Sequence, residues 1–524
     1  MIFKKRKGQL TLEFILLILG MTVVGIVITM GLVEKSPIFI GDKPLEVKKE
    51  TMGLFINESK FNLTVENTTI SNLGNNNTES NNSNNETGGG YLYIRVSGSS
   101  KGLITKDLIV SGDAKDVSGD ISKTINSKCV EENAIGEVYG DIYLEGSANY
   151  KLGNLLCINK FQTYLTGSGS LKVYVPYIQE FIIRDKNSGE SQIGGSVSLT
   201  VGNTNINRFY VEKITGGAKV KFKDFAINTF ETNSGNFGGG AETVFENGRI
   251  STMKLGDIVS GGNVKFKNVN IGNMIINNMI GSPTFELSNS TINNMKINKL
   301  IGSPKILVED SSIINSLETD QLGGSDIEVK DGSIIKEITI HGSTGTNGKI
   351  FVGYGGKVEK LFVEGNINSR IDLKGFSGLI DVSIGNIAGG GKLYVDNVIG
   401  NSISTGIIGN NKGLEIEDSS LSVVNIEGVS NSGSAFIKNT LIYQLKINSL
   451  PDWGSDMTLN KVNITKLSIN EIRNGKLTIK NSEIGELHIT KISGKGKIIV
   501  KKSYVNGKYY KKLVIKKSNY KKWS

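Results

Sequence analysis

His341, His488, Cys129 and Cys157 are the only histidines and cysteines in the 524-residue chain. A structural zinc module draws on four such ligands. The two histidines fall about seven periods apart in the repeat that fills the second half of the chain, so they cannot share an ion and are read as surface imidazoles. Cys129 and Cys157 are expected to form a disulfide, given the exported compartment expected for this region; a pair of buried thiols is the alternative. Asp310 and Asp331 are one period apart. Stacked repeats would bring them to ~5 Å, a spacing that suits a cation, although accepting backbone N–H bonds in a turn is the simpler role. Arg208, Arg249, Arg370 and Arg473 are scattered, with no carboxylate cluster beside them. Carbohydrate cleavage would need paired carboxylates, or calcium-bound Asp with a base. No catalytic residue, metal ligand or cofactor is therefore assigned.

Lys and Arg total 60 against 50 Asp and Glu, and the excess sits at the two ends. Lys4, Lys5, Arg6 and Lys7 open the chain, and Lys497 to Ser524 hold ten Lys and no acid. The remainder is slightly acidic, which excludes a nucleic-acid binder with a basic face along its length. Hydrophobic residues at 38% and charged residues at 21% exclude full-length disorder and collagen.

The elements that would hold any site are periodic. NVKFKNVNIGNMIINNMIGSP from Asn263 is followed by TFELSNSTINNMKINKLIGSP from Thr284 and KILVEDSSIINSLETDQLGGS from Lys305. Units begin near 198, 219, 242, 263, 284, 305, 326, 349, 370, 392, 413, 434, 456, 476 and 497, a mean near 21 residues. Apolar residues take positions 2, 4, 9, 12, 14 and 17 of each unit, with strand-like pairs at i and i+2. Position 6 is Asn or Asp in eleven of the fifteen units: Asn203, Asp224, Asn247, Asn268, Asn289, Asp310, Asp331, Asn397, Asp418, Asn439 and Asn481. Position 9 is assigned to an Ile column that includes Ile206, Ile227, Ile250, Ile271, Ile292, Ile313 and Ile334, and Gly closes most units. A period of this length signals a solenoid. Leucine-rich repeat spacing is missing, and helical repeats would not tolerate this Gly and β-branched content. The expected fold is all-β, a single-stranded parallel β-helix (β-solenoid) of ~21-residue coils rising ~4.8 Å each, so fifteen coils span roughly 70 Å. The Asn column either bonds from coil to coil or serves each turn separately; both readings stand. Residues 91–197 are less regular and are read as amino-terminal coils with a cap. SLKVYVPYIQEFII from Ser170 fits the unit.

One transmembrane or pilin-like α-helix should precede the solenoid. FILLILGMTVVGIVITMGL, Phe14 to Leu32, has no charge and as a helix would span roughly 29 Å. The basic cluster before it places the amino terminus in the cytoplasm and everything after Val33 outside. The run is long for a cleavable secretory signal, and no small-x-small site closes it. Glu13, a carboxylate at the edge of this span, hints at function.

Lys7-Gly8-Gln9-Leu10-Thr11-Leu12-Glu13-Phe14 resembles the class III signal peptides of archaea, which belong with type IV prepilin-like proteins. The resemblance covers about the first 33 residues. It implies that a class III prepilin peptidase cuts between Gly8 and Gln9, that the helix is retained, and that Glu13 pairs with the freed amino group of a neighbouring subunit. Thr11 stands where the family commonly has Ser, keeping the hydroxyl.

After the helix, NNNTESNNSNNETGGG (75–90) is too polar to form a core. Sequons at Asn57, Asn62, Asn67, Asn76, Asn81 and Asn85 cluster there, against two, Asn289 and Asn463, in the rest of the chain. The organisation expected is a leader (1–8), a hydrophobic helix (9–33), a glycosylated stalk or linker (34–90), an irregular cap (91–197) and the repeats with a Lys-rich last coil (198–524). Those lysines either discourage edge-to-edge aggregation at an open end or grip an anionic partner. The function expected is a membrane-anchored, extracellular structural or adhesive protein of the archaeal cell surface, not an enzyme. Expected partners are membrane lipid, the peptidase, pilin-like subunits or further copies of itself, and cell-wall or surface polysaccharide, with no nucleic acid. A membrane-tethered polysaccharide lyase or hydrolase is the alternative.

Overall fold

The computed structural model describes the strands Tyr91–Val96, Lys101–Ile104, Ala114–Gly119, Tyr139–Leu144 and Asn149–Leu152, then residues 157–523 except 185–188, 233–235, 354 and 431. The described chain is all-β and winds into a parallel solenoid of about 16 turns.

The unit beginning at Thr284 shows how the sequence makes a coil. In the strand Thr284–Ser288 alternate residues Phe285 and Leu287 point inward and are fully buried. Asn289 then takes φ of 45°, a left-handed conformation that turns the chain. In the strand Thr291–Gly302 the buried residues are Ile292, Met295, Ile297 and Leu300. Two exposed residues in succession, Asn293 and Asn294, mark the place where the chain rounds a corner. The six apolar positions of the repeat are thus the six that face the core.

Each coil pairs with the next in parallel. Asn263 is opposite Thr284, Thr284 opposite Lys305, Lys305 opposite Asp326 and Asp326 opposite Lys349. The same register joins Ser198 to Lys219 at one end and Lys476 to Lys497 at the other. It therefore runs through the unit starts read from the sequence. Earlier coils follow suit, with Ser170 opposite both Asn149 and Ser198.

Because the register is strict, like stacks on like inside. Position 12 forms one column through Phe161, Phe181, Phe209, Phe230, Met253, Met274, Met295 and Leu317. Aromatic rings fill the amino-terminal part of the core. Phe222, Phe245 and Phe266 stack with centroids 5.0 and 4.9 Å apart and planes within 7°. Burying each such side chain contributes about 1.5–3 kcal/mol. No coil can collect that alone, since its apolar face is covered only by its neighbours.

Two members of the expected Ile column are corrected. Ile314 and Ile335, not Ile313 and Ile334, lie opposite Ile292 and are fully buried. The turns before them carry one extra residue. Asp310 and Ser311 are both left-handed, at φ of 55° and 63°, as are Asp331 and Gly332 at 55° and 77°. The insertion shifts the following alternation by one.

Buried serines fasten the turns. Ser312 Oγ accepts the Ser290 N–H at 3.1 Å and donates to the Glu309 carbonyl at 2.6 Å; Ser333 Oγ accepts the Ser312 N–H at 3.0 Å. Ser482 and Ser503 repeat the device near the carboxyl end. A buried backbone N–H without a partner would cost about 1–3 kcal/mol, so the hydroxyls complete coils whose turns interrupt the ladder.

Antiparallel strands close the stack. Tyr91–Val96 is covered by Ala114–Gly119, and Lys497–Val505 is covered by Lys508–Lys516. The last coil expected from the Lys-rich end is therefore present; the strand Lys508–Lys516 and the 3-10 helix Tyr520–Trp523 follow it. Among the described residues no helix is long and apolar enough to cross a membrane. The apolar span 14–32, and with it the expected helix, lies outside the described residues, as does the stalk 34–90.

Candidate functional site

All eleven Asn and Asp residues of position 6 are left-handed, with φ between 45° and 56°. Where the unit lacks Asn or Asp, Gly375 takes the same conformation at 67°, and Lys461 and Lys502 take it at 56° and 47°. Asn and Asp tolerate this region better than other side-chain-bearing residues. The column also bonds between coils. Asn247 Nδ2 donates to Asp224 Oδ1 at 3.1 Å, Asn268 to Asn247 at 2.9 Å, and Asn289 to Asn268 at 2.7 Å. Both readings of the column are therefore correct. Further amide bonds run along other faces, from Asn294 to Asn273 at 2.8 Å and from Asn298 to Asn277 at 3.0 Å.

Charges on the outer faces are matched between coils. Lys265 Nζ lies 3.2 Å from Glu242 and 3.9 Å from Glu286, and Lys330 lies 2.9 Å from Glu309. Three of the four arginines have partners that the sequence did not disclose; among the described residues no ion pair is found for Arg249. Arg208 lies between Glu180 and Glu231 at 3.9 and 3.3 Å, Arg370 meets Asp372 at 2.7 Å, and Arg473 meets Asp452 at 3.7 Å.

His341 is the centre of the densest group. Its Nδ1 lies 3.1 Å from Glu364 and its Nε2 3.1 Å from Glu318, and Glu318 also holds Lys296 at 2.8 Å. Both ring nitrogens donate only in the imidazolium. Glu364, then Glu318, accordingly raises the imidazole pKa above its ordinary value. Lys296, and next in strength burial acting the other way, sets the Glu318 carboxyl, which is lowered on balance. Among the described residues, Glu318, Asp320 and His341 are the one group whose ligand atoms lie within 4.8 Å of one another, close enough to hold a metal ion. As it stands the arrangement is an ion-pair network, with Lys296 and the His341 imidazole both meeting Glu318 Oε1. The signal that could have found it is register: His341 lies 23 residues from each Glu, one coil either way once the extra turn residues are counted.

A shallow cleft of about 460 Å³ crosses four coils further along. Asn425, Lys446, Ser468 and His488 form one stacked column of its wall. Glu427 is its one carboxylate; Asn448 donates to Glu427 at 2.6 Å and Asn470 donates to Asn448 at 2.9 Å. His488 is thus a surface imidazole in a cleft, far along the stack from His341.

Asp310 and Asp331 occupy the same left-handed turn one coil apart. Asp310 accepts the Ser288 hydroxyl of the preceding coil at 2.6 Å, rather than the backbone N–H expected of it. Gly8, Gln9, Glu13, Cys129 and the six sequons Asn57, Asn62, Asn67, Asn76, Asn81 and Asn85 lie outside the described residues. Cys157 opens the strand Cys157–Leu165, and its side chain is outside the described set as well.

Residues 6–32 match the family model described as the class III signal peptide. The match takes in Gly8, Gln9, Glu13 and the whole apolar run. A class III signal peptide implies export toward the surface and processing by a prepilin peptidase. The solenoid begins well beyond it. No solved structure matches the chain.

Proposed function

We propose that this chain is an archaeal cell-surface protein with a structural or adhesive role. In this reading the peptidase cuts between Gly8 and Gln9, and the apolar helix is retained as a membrane or pilin-like anchor. Glu13 meets the new amino terminus of a neighbouring subunit. The stalk 34–90 carries N-glycans and displays the solenoid outside, where Cys129 and Cys157 are oxidised. The observation that carries the reading is the class III signal peptide standing ahead of a solenoid with an antiparallel strand laid on each end coil. Such a stack is suited to present a long, stiff surface.

The reading is non-enzymatic. Glycoside hydrolysis ordinarily uses two carboxyl groups flanking one bond. The cleft across the coils offers Glu427 alone, already engaged by Asn448, and the carboxylates around His341 are not among its lining residues.

Mass spectrometry of the native amino terminus tests the anchor: Gln9 is expected, and an intact Met1 or a start beyond Leu32 refutes it. Glycopeptide analysis of 34–90 should find at least two modified Asn residues. Protease shaving of intact cells should release the solenoid, and its retention would refute display.

A further inference from the structure

The charges of the last hairpin are unlike those of the solenoid's flanks. Lys497–Val505 and Lys508–Lys516 pair antiparallel with Lys497 opposite Lys516, Ile499 opposite Val514, Lys501 opposite Lys512 and Tyr504 opposite Tyr509. Ile498, Val500 and Ile515 face the core, so by the two-residue period the first three pairs share the outer face; the left-handed turn at Lys502 then resets the alternation, burying Ser503 and exposing Tyr504. Like charges directly opposite in a sheet are destabilising, and here two Lys–Lys pairs stand in one ribbon. Lys480, one coil back, lies beside Lys501 and extends that row to three.

Many lysines earlier on the stack find carboxylates. Lys476, beside Lys497, holds Asp456 at 2.8 Å, and Lys491 holds Glu471 at 3.1 Å. From Lys495 to Lys522, Lys521 aside, no described lysine makes an ion pair, and no Asp or Glu follows Glu486.

Protection of a bare edge explains lysines on the outermost strand. It does not explain Lys497 and Lys501, whose strand is paired on one side with Lys476–Lys480 and on the other with Lys508–Lys516. Beside the cationic pairs, Tyr504 and Tyr509 are 52% and 55% exposed with ring centroids 5.2 Å apart. Lys495, Lys497, Lys516 and Lys517 line a cleft at the other end of the ribbon. Lys495 also lies 4.7 Å over the ring of Trp453, which is 61% exposed.

We infer that the solvent side of this hairpin binds an acidic polysaccharide, with Lys497, Lys501, Lys512 and Lys516 taking its carboxylate or sulfate groups and, past the turn at Lys502, Tyr504 and Tyr509 stacking on its sugar rings. Ammonium groups without carboxylates supply the charge complementarity, and exposed phenol rings supply apolar faces with a polar edge. The choice of carbohydrate over nucleic acid rests on the proposed display outside the cell; the binding itself can be measured on purified protein and stands or falls separately from display.

The test is binding of the full chain in detergent to polygalacturonate, with polyglutamate, dextran, single-stranded DNA and phosphatidylglycerol vesicles as comparisons. Polygalacturonate should bind best, and more weakly as salt rises. Changing the four lysines to Gln should weaken it by roughly tenfold or more and flatten the salt dependence, while changing the same four to Arg should keep it. The pair Lys497→Gln and Lys501→Gln leaves the outermost strand's lysines in place and should still weaken binding without aggregation. Tyr504→Ala with Tyr509→Ala should weaken polygalacturonate but not polyglutamate. Unchanged affinity in the two-Lys variant overturns the inference. So does equal loss for both polymers in the Tyr variant, or tighter binding to DNA or vesicles than to polygalacturonate.

Discussion

Asn268 and Asn247 occupy the same left-handed turn one coil apart, and Asn268 Nδ2 donates to Asn247 Oδ1 at 2.9 Å. Asn289 in turn donates to Asn268 at 2.7 Å, so one side chain carries two bonds and a strained φ of 56°. These contributions separate by substitution. Asn268→Gly keeps the backbone and loses the bonds, which should cost about 1 kcal/mol. Asn268→Ala loses the bonds and adds about 1–2 kcal/mol for left-handed backbone. Chemical denaturation should therefore rank wild type above Gly and Gly above Ala. Equal loss in both variants would mean that conformation contributes nothing.

Ile292 lies opposite Ile271 and Ile314 with no exposure at all. Ile292→Asp places an unpaired carboxylate between three coils and should cost several kcal/mol. Deleting 284–304 removes a whole coil and joins Pro283 to Lys305, reproducing the Pro304–Lys305 junction of the native chain. Thermal unfolding should show far less damage from the deletion than from the single substitution. The reverse order would be incompatible with a stack of interchangeable coils.

His341 should titrate above the ordinary imidazole value, since Glu364 and Glu318 both hold its protonated form. A folded pKa raised above the unfolded one adds stability that is complete below the unfolded pKa and fades as pH rises through the folded pKa. Glu318 works oppositely: its lowered carboxyl contributes above its unfolded pKa and stops contributing as pH falls through its folded pKa. The network is therefore complete only between the two titrations, and its exposure to water keeps the effect small. NMR titration of His341 in Glu364→Gln should show the imidazole pKa falling; no change would remove Glu364 from the network.

The two sequons of the solenoid should differ in use. Asn289 Nδ2, the atom a glycan would take, donates to Asn268 and sits in the bonded column. Asn463 is exposed at the start of the strand Asn463–Ile472 and has no such bond. Glycopeptides covering both should show Asn289 unmodified, whatever the state of Asn463. A glycan on Asn289 would mean that the column is open in the cell.

The sequence alone determined the period, the strand class and the inward positions. A coil of about 21 residues must put the same residue types in the same places for its neighbours to cover them, so Phe285, Leu287, Ile292, Met295, Ile297 and Leu300 were legible from spacing. It also carried the class III signal peptide, because basic residues, Gln9, Glu13 and the apolar run are contiguous. Contacts between coils were a different matter. Sequence could not tell that Asp310 and Ser311 would both turn left-handed and move Ile314 into the column, since either Ile313 or Ile314 satisfies the local pattern. Nor could it tell that Ser312 would bridge two coils, that Lys497 would face Lys516 after the chain reversed, or that His341 would find Glu318 and Glu364. Those pairings depend on register and on a change of strand direction. Only the packed stack fixes both, because a shift of one residue sends every following side chain to the opposite face.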